Sequence, residues 1–412
     1  MNHLFAGLYI DPGTGSMLFT ILIGALGALV YLFRNVWLRL RFAFSGGAGE
    51  KQQAERLPFA IFSDSKRYWN LFEPICDEFE KRGQQLTYMT ASPDDPALKK
   101  AYVHVRCEFI GEGNRAYAHL NLLKADVLLS TTPGLDVYQW KRSRDVKTYV
   151  HILHAAGDAT LYRMFGTDYY DALLLSGEFQ ARQIRELERL RGLPEKEIEL
   201  VGIPYLDEMK KRLESLGERP DQPTTILLAP SWGKSAILSR FGGAFIRALL
   251  DTGYHVIVRP HPQSFTAEKD MLEELMRDFP DSEQLEWNRD NDNFAVLRRA
   301  DLMISDFSGV IFDYALIFGK PVIYADTAFD KSPYDASWLE EEPWIFRTLP
   351  RIGRQLRQED LPQMKAVIDE MLQSPSYREA IERAREETWA HPGEAAARTA
   401  DYLIEKAKQL QA

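Results

Sequence analysis

Ala300-Asp301-Leu302-Met303-Ile304-Ser305-Asp306-Phe307-Ser308-Gly309-Val310-Ile311-Phe312-Asp313-Tyr314-Ala315 reads as an apolar strand that passes through a Ser/Asp/Ser/Gly turn into a helix. The strand covers Asp301–Ile304, the helix Gly309–Phe318, and Pro321–Ala325 is the next strand-like run. The same alternation extends upstream. Thr225–Ala229 and His255–Val258 read as strands; Gly242–Leu250, Ala267–Phe279 and Asn293–Arg299 read as helices. Before a Gly-, Pro- and charge-rich break at 215–224 (SLGERPDQPT) lies a first series of strands. They are Pro58–Ser63, Gln85–Met89, His104–Ile110, Ala125–Ser130, Thr148–His154, Ala172–Ser176 and Ile198–Val201, with helices such as Lys66–Lys81, Arg115–Leu123 and Glu178–Leu190 between them. Alternating strands and helices imply βαβ units around parallel sheets. The expected fold is therefore α/β, with two Rossmann-like domains (57–214 and 225–375) facing a cleft and a helical, charged tail over 376–412.

The 412 residues are 45% hydrophobic and 27% charged, enough apolar material for sizeable cores and too much for a disordered chain. With 50 Lys and Arg against 60 Asp and Glu, the net charge of −10 argues against a nucleic-acid partner. Two cysteines, Cys76 and Cys107, cannot make a disulfide framework or a four-thiolate zinc site. A reduced, cytosolic body is expected.

The amino-terminal end is different. Pro12 to Phe33 is a run of 22 uncharged residues, almost wholly apolar from Met17 onward. As a helix it reaches roughly 33 Å, enough to cross a bilayer. Arg34, Arg39 and Arg41 follow it with no acid before Glu50, while Asp11 is the only charge ahead of it. Positive-inside asymmetry predicts a single-pass anchor within 1–44 (helix about 16–33), its N-terminus outside and the body cytoplasmic. A polar linker over 45–56 (SGGAGEKQQAER) would join the two. A cleaved signal peptide and a buried soluble helix are the alternatives; the first lacks its usual basic residues ahead of the apolar run.

Three strand ends carry candidate chemistry. Val256-Ile257-Val258-Arg259-Pro260-His261-Pro262 presents a His between two prolines, each of which restricts the backbone. His261 and Arg259 could donate to phosphate oxygens, or His261 could cap the helix that follows. In the opening stretch, Ser305, Asp306 and Ser308 are all N-cap types. Alternatively, the helix start and the bare Gly309 backbone could cradle a phosphate, with Asp306 and Asp313 ordering the loop or binding hydroxyls. In Tyr149-Val150-His151-Ile152-Leu153-His154, strand alternation puts His151 and His154 on opposite faces. One of them can then face the cleft as a general base, and the two make poor joint metal ligands. Asp290-Asn291-Asp292 is a weak metal-binding pattern, and no G-x-G-x-x-G or P-loop occurs.

Taken together, these segments resemble the CDP-glycerol glycerophosphotransferase family, the membrane-associated polymerases and primases of teichoic acid-type polymers. The resemblance runs from about Lys147 to Ala325. Val201-Gly202-Ile203-Pro204-Tyr205-Leu206-Asp207 is similar to the family's G-x-P-R-x-D, with Tyr205 at the Arg position. Ala229-Pro230-Ser231-Trp232 is similar to A-P-T-W, Arg259-Pro260-His261-Pro262 to K-P-H-P, and Ser305-Asp306-Phe307-Ser308-Gly309 with Asp313 to T-D-Y-S-S-x-x-x-D. His154 stands nearest to the His of W-H-G-T-P-x-K, but Ala155-Ala156-Gly157-Asp158 lacks that Gly and Lys.

The resemblance implies a GT-B-like architecture whose C-terminal domain holds CDP. It also implies transfer of a polyol phosphate from a CDP-alcohol donor to a membrane-bound polyol-phosphate or glycan acceptor, with release of CMP and no metal or cofactor. His154 and His261 are then the expected catalytic residues, His154 as the base. Ser231, Arg259, Ser305, Asp306, Ser308, Gly309 and Asp313 are the expected donor- and phosphate-binding set. A GT-B glycosyltransferase, a related nucleotide-sugar enzyme and a non-catalytic membrane-tethered scaffold are the alternatives.

Overall fold

The computed structural model describes residues 56–290, 292–325, 329–374 and 376–411. The expected anchor and most of the linker after it lie outside them. Among the described residues, no helix is long and apolar enough to cross a membrane. The chain from Arg56 onward is one compact unit built on two sheets.

The first sheet contains β1 (Leu57–Ser63), β2 (Leu86–Thr90), β3 (Val105–Phe109), β4 (Ala125–Ser130), β5 (Val146–Ile152), β6 (Ala172–Leu175) and β7 (Glu197–Leu200). The second contains β8 (Thr225–Leu228), β9 (His255–Val258), β10 (Leu285–Trp287), β11 (Leu302–Ser305), β12 (Val322–Ala325) and β13 (Gly353–Leu356). Their orders are β3-β2-β1-β4-β5-β6-β7 and β10-β9-β8-β11-β12-β13. Every pairing is parallel. Each sheet thus grows outward in both directions from its first strand, the Rossmann order, and the pair forms a GT-B-like architecture. Central strands such as ADVLLS of β4 and TILL of β8 are buried along their whole length, because helices cover both faces of a parallel sheet. The edge strands β10 and β13 escaped sequence reading: LEW and GRQL carry no apolar run of strand length.

The segment resembling G-x-P-R-x-D turns out to be an architectural joint. Gly202 has φ +93°, and a Cβ there would lie 2.3 Å from the Ala390 carbonyl oxygen, so only glycine fits. Pro204 opens the helix Pro204–Ser215, where its missing N–H costs nothing. Asp207 accepts hydrogen bonds from Trp389 Nε1 (2.8 Å) and from the Gly393 and Ala395 amides (2.7 and 2.9 Å). Its carboxylate therefore pins the start of the last helix, Ala395–Gln411. That helix does not stand apart as a tail. Ala400, Leu403 and Ala407 sit in the same apolar cluster as Phe59, Leu71 and Val127 of the first lobe.

The lobes are also joined beside the cleft. Asp158 of the first lobe accepts from the Trp344 and Ile345 amides (2.7 and 3.0 Å) and so caps the second-lobe helix Trp344–Ile352. Trp344 stacks on Phe179, ring centres 5.2 Å apart. A strap of the second lobe reaches further. Asp335 accepts from the Phe165 and Gly166 amides (2.7 and 3.0 Å) and pairs with the buried Arg191 at 2.6 Å. The Asp335 amide in turn donates to the Tyr162 carbonyl oxygen at 3.0 Å. The loop carrying Tyr162 is thus held from both lobes.

Candidate active site

The candidate groups meet where the carboxyl ends of the two sheets face each other, the usual place for ligands in open α/β sheets. On the first-lobe side, β5 ends at Ile152, so strand alternation stops before His154. The expectation that His151 and His154 point to opposite faces therefore fails: both reach one hydroxyl. Tyr162 Oη lies 3.2 Å from His151 Nε2 and 3.5 Å from His154 Nδ1. Thr131 Oγ1 is 3.1 Å from the same His154 Nδ1, and the Tyr68 ring packs on the His154 ring at 4.9 Å. Burial pushes the His154 imidazole down to about 4 and His151 to about 3, the latter with help from His154. Both rings are neutral at pH 7. Asp64, just beyond β1, has a buried Oδ1 without a partner among the described residues, and burial raises its carboxyl.

On the second-lobe side, side chains expected to meet phosphate turn inward. The Ser305 hydroxyl is fully buried and donates to the Ala229 carbonyl oxygen at 2.6 Å. It ties β11 to the end of β8 and does not reach the cleft. Asp306 accepts from the Ser231 amide (2.9 Å) and the Ile237 amide (3.1 Å), so it orders the 231–237 loop, with burial raising its carboxyl. Ser231 Oγ is buried and unpartnered among the described residues. Arg259 spends Nη1 on Asn288 Oδ1 (2.6 Å) and the Asp290 carbonyl oxygen (2.7 Å), bracing the loop after β10.

What these bonds leave behind is an uncapped helix. Val310–Phe318 has no side-chain cap, because the nearby Ser305 and Asp306 side chains are engaged elsewhere. Ser308 is half-buried and Gly309 exposed, and a Cβ on Gly309 would meet nothing within 4 Å. The Ile311 and Phe312 amides bond the Ser308 and Gly309 carbonyl oxygens at 3.1 and 3.0 Å, which leaves the Gly309 and Val310 amides at the exposed start of the helix, the positive end of its dipole. Beside them is a pocket of about 400 Å³ lined by Asp306, Phe307, Tyr324, Phe329, Lys331 and Phe346 among others. One turn into the same helix, Asp313 is buried with Oδ1 unpartnered among the described residues. Its Oδ2 is 3.4 Å from Asn293 Nδ2, while Tyr205 Oη donates to Asn293 Oδ1 at 2.8 Å. Burial raises the Asp313 carboxyl to about 7.

His261 faces the first lobe. Its Nδ1 accepts the Gln263 amide at 3.1 Å, which leaves the ring proton on Nε2, free to donate. Trp232, 45% exposed, stacks on it with ring centres 6.3 Å apart. Burial lowers the imidazole to about 4, aided by the positive charge of Arg67 from the opposite lobe and by Arg259. Arg67 and Tyr68 are adjacent, one acting on His261 and the other packed on His154, so a single first-lobe turn spans the gap between the two histidines. Tyr162, Thr131, Arg67 and the aromatic pocket carry no signal in the sequence. Trp232 has one, its place in Ala229-Pro230-Ser231-Trp232. Among the described residues, no group of three His, Cys, Asp or Glu is placed to hold a metal ion.

Comparison with known proteins adds the following. The sequence pattern of the CDP-glycerol:poly(glycerophosphate) glycerophosphotransferase family matches residues 63–339, two thirds of the chain and beyond both ends of the Lys147–Ala325 resemblance. Among solved structures, the wall teichoic acid polymerase TagF superimposes with a TM-score of 0.57 at 16% identity, over 94% of this chain and 99% of that one. A Methanocaldococcus jannaschii UDP-GlcNAc 2-epimerase, solved with UDP-GlcNAc and UDP, gives 0.53 at 12% identity over 85% and 100%. The epimerase from Neisseria meningitidis gives 0.53 at 10% identity over 86% and 100%. At such identities the likeness is one of fold. No curated protein sequence matches the chain.

Proposed function

The chain belongs to the CDP-glycerol:poly(glycerophosphate) glycerophosphotransferase family, and from that premise we propose a mechanism for its glycerophosphotransferase activity. The donor is CDP-glycerol, bound with its diphosphate at the uncapped start of the Val310–Phe318 helix and its nucleoside in the adjoining aromatic pocket. His154 Nε2 takes the proton from an acceptor hydroxyl. The resulting oxygen attacks the β-phosphorus, the bond from that phosphorus to the bridging oxygen breaks, and CMP leaves with the electron pair. His261 Nε2–H and the Gly309 and Val310 amides stabilise charge on the phosphoryl oxygens. Ser305, Asp306 and Arg259 act at one remove by holding the loops.

The observation that carries this reading is the helix start left bare while neighbouring polar side chains are bonded elsewhere. Incubating the purified full chain with CDP-glycerol, CDP-ribitol or UDP-sugars, each with a glycerophosphate polymer, tests it. CMP release with CDP-glycerol is expected. UDP release would make it a glycosyltransferase, and no release from any donor would make it a scaffold. The acceptor polymer is membrane-bound, and the helix at about 16–33 anchors the enzyme beside it; a reporter fused after Ala412 should be active only on the cytoplasmic side.

A further inference from the structure

Tyr162 is the residue that the proposed chemistry leaves unused. Its hydroxyl lies between two imidazoles, 3.2 Å from His151 Nε2 and 3.5 Å from His154 Nδ1. A hydroxyl donates one hydrogen bond only, so where both contacts are hydrogen bonds one ring receives that proton and the other donates to the oxygen. If Tyr162 donates to His151 Nε2, then His154 must carry its proton on Nδ1. His151, with Nε2 bare, then also carries its proton on Nδ1. If Tyr162 donates to His154 Nδ1, both rings carry their protons on Nε2. The two histidines are thereby held to the same tautomer.

We propose that Tyr162 is a positioning residue that locks His154 with Nδ1 protonated and Nε2 bare, through a chain that ends on the buried His151. This rests on His154 being the base. His151 is wholly buried and its Nδ1 has no partner among the described residues, so Tyr162 is the contact through which its tautomer is set, and the bonds through Tyr162 must offset the unpaired Nδ1–H that this tautomer leaves. The His151 ring cannot swing away, since it packs on Tyr162 at 5.3 Å and on Tyr170 at 4.9 Å. Tyr162 itself is fixed from the second lobe, because its carbonyl oxygen accepts the Asp335 amide. Thr131 Oγ1 follows either state, because a hydroxyl both donates and accepts.

The test uses the full chain with ¹⁵N-labelled histidine, in wild type and Tyr162→Phe, which keeps the ring and loses only the oxygen. Nitrogen shifts should show both His151 and His154 protonated on Nδ1 in wild type, and Tyr162→Phe should give mixed tautomers. Turnover of that variant should fall about tenfold, the scale of one lost hydrogen bond, with donor affinity unchanged. Protonation of His154 on Nε2 in wild type, opposite tautomers in the two rings, or wild-type turnover in Tyr162→Phe would overturn the proposal. If His154→Ala retains turnover, the base assignment fails; if it is inactive while Tyr162→Phe is normal, only the positioning role fails.

Discussion

Along the carboxyl edge of the first sheet the polar groups are side chains packed among aromatic rings; along that of the second they are backbone amides freed by side chains that turn inward. The strand order is the same in both. The first edge surrounds His154 with Tyr68, Thr131 and Tyr162 and keeps two imidazoles neutral, which suits proton removal. The second commits Ser305 and Asp306 to the chain itself and leaves a helix start open, which suits an anion. One topology thus yields a proton acceptor or a charge acceptor, depending on whether the side chains point toward the cleft or back into the fold.

Crossed substitutions give the largest expected effects. His154→Ala should lower turnover by about 10²–10⁴, the contribution of a positioned base, with donor binding nearly intact. His261→Ala should weaken CDP-glycerol binding by roughly 10–150-fold, the loss of one hydrogen bond to an ionised oxygen. Calorimetric titration of both variants separates the edges; equal loss of binding in the two would merge them into one site.

The edges should also respond oppositely to pH. The Asp313 carboxyl is raised from 3.8 to about 7, so its contribution to stability is present below pH 3.8 and lost as pH rises through 7. His151 is depressed from 6.5 to about 3, so its contribution is present above pH 6.5 and lost as pH falls toward 3. Asp313→Asn should therefore abolish a loss of about 4 kcal/mol across the carboxyl's window, read from denaturation at pH 4 and pH 8. An unaltered pH slope in the variant would show that Asp313 is not desolvated in solution.

The smallest effect is the sharpest test of the open helix start. Gly309→Asp places a carboxylate there in free space and should raise stability by about 0.3–1 kcal/mol. It should also weaken donor binding, because the new charge occupies the anion's place. Donor affinity equal to wild type would show that the amides do not hold the diphosphate.

How much of this was legible in the sequence follows from what each signal depends on. The central first-sheet strands were readable because both faces of a parallel sheet are buried there and the runs stay apolar, as in Ala125–Ser130, and the edge strands β3 (VRCEF) and β7 (EIEL) were readable from alternation alone. The positions of His154, His261 and Gly309 at strand or helix ends were readable for the same reason. The direction of the side chains was not. Ser305 and Asp306 look like caps in sequence, but their partners Ala229 and Ile237 lie about 70 residues away. The shared hydroxyl of Tyr162 depends on β5 ending at Ile152, and strand boundaries are the least certain part of a sequence reading. Asp207 was matched as a motif residue, yet its partners are Trp389, Gly393 and Ala395, far along the chain.

That long reach has a consequence for biosynthesis. The first lobe begins at Leu57, yet Ala400, Leu403 and Ala407 complete its core. During translation most of that lobe leaves the ribosome with a hydrophobic groove still uncovered. The groove stays open until residues 395–411 emerge, long after the second lobe could have closed around its own sheet. A chain cut short anywhere before Ala395 therefore presents a sticky, unfinished first lobe, a form that chaperones and proteases can tell from the finished enzyme without reading its active site.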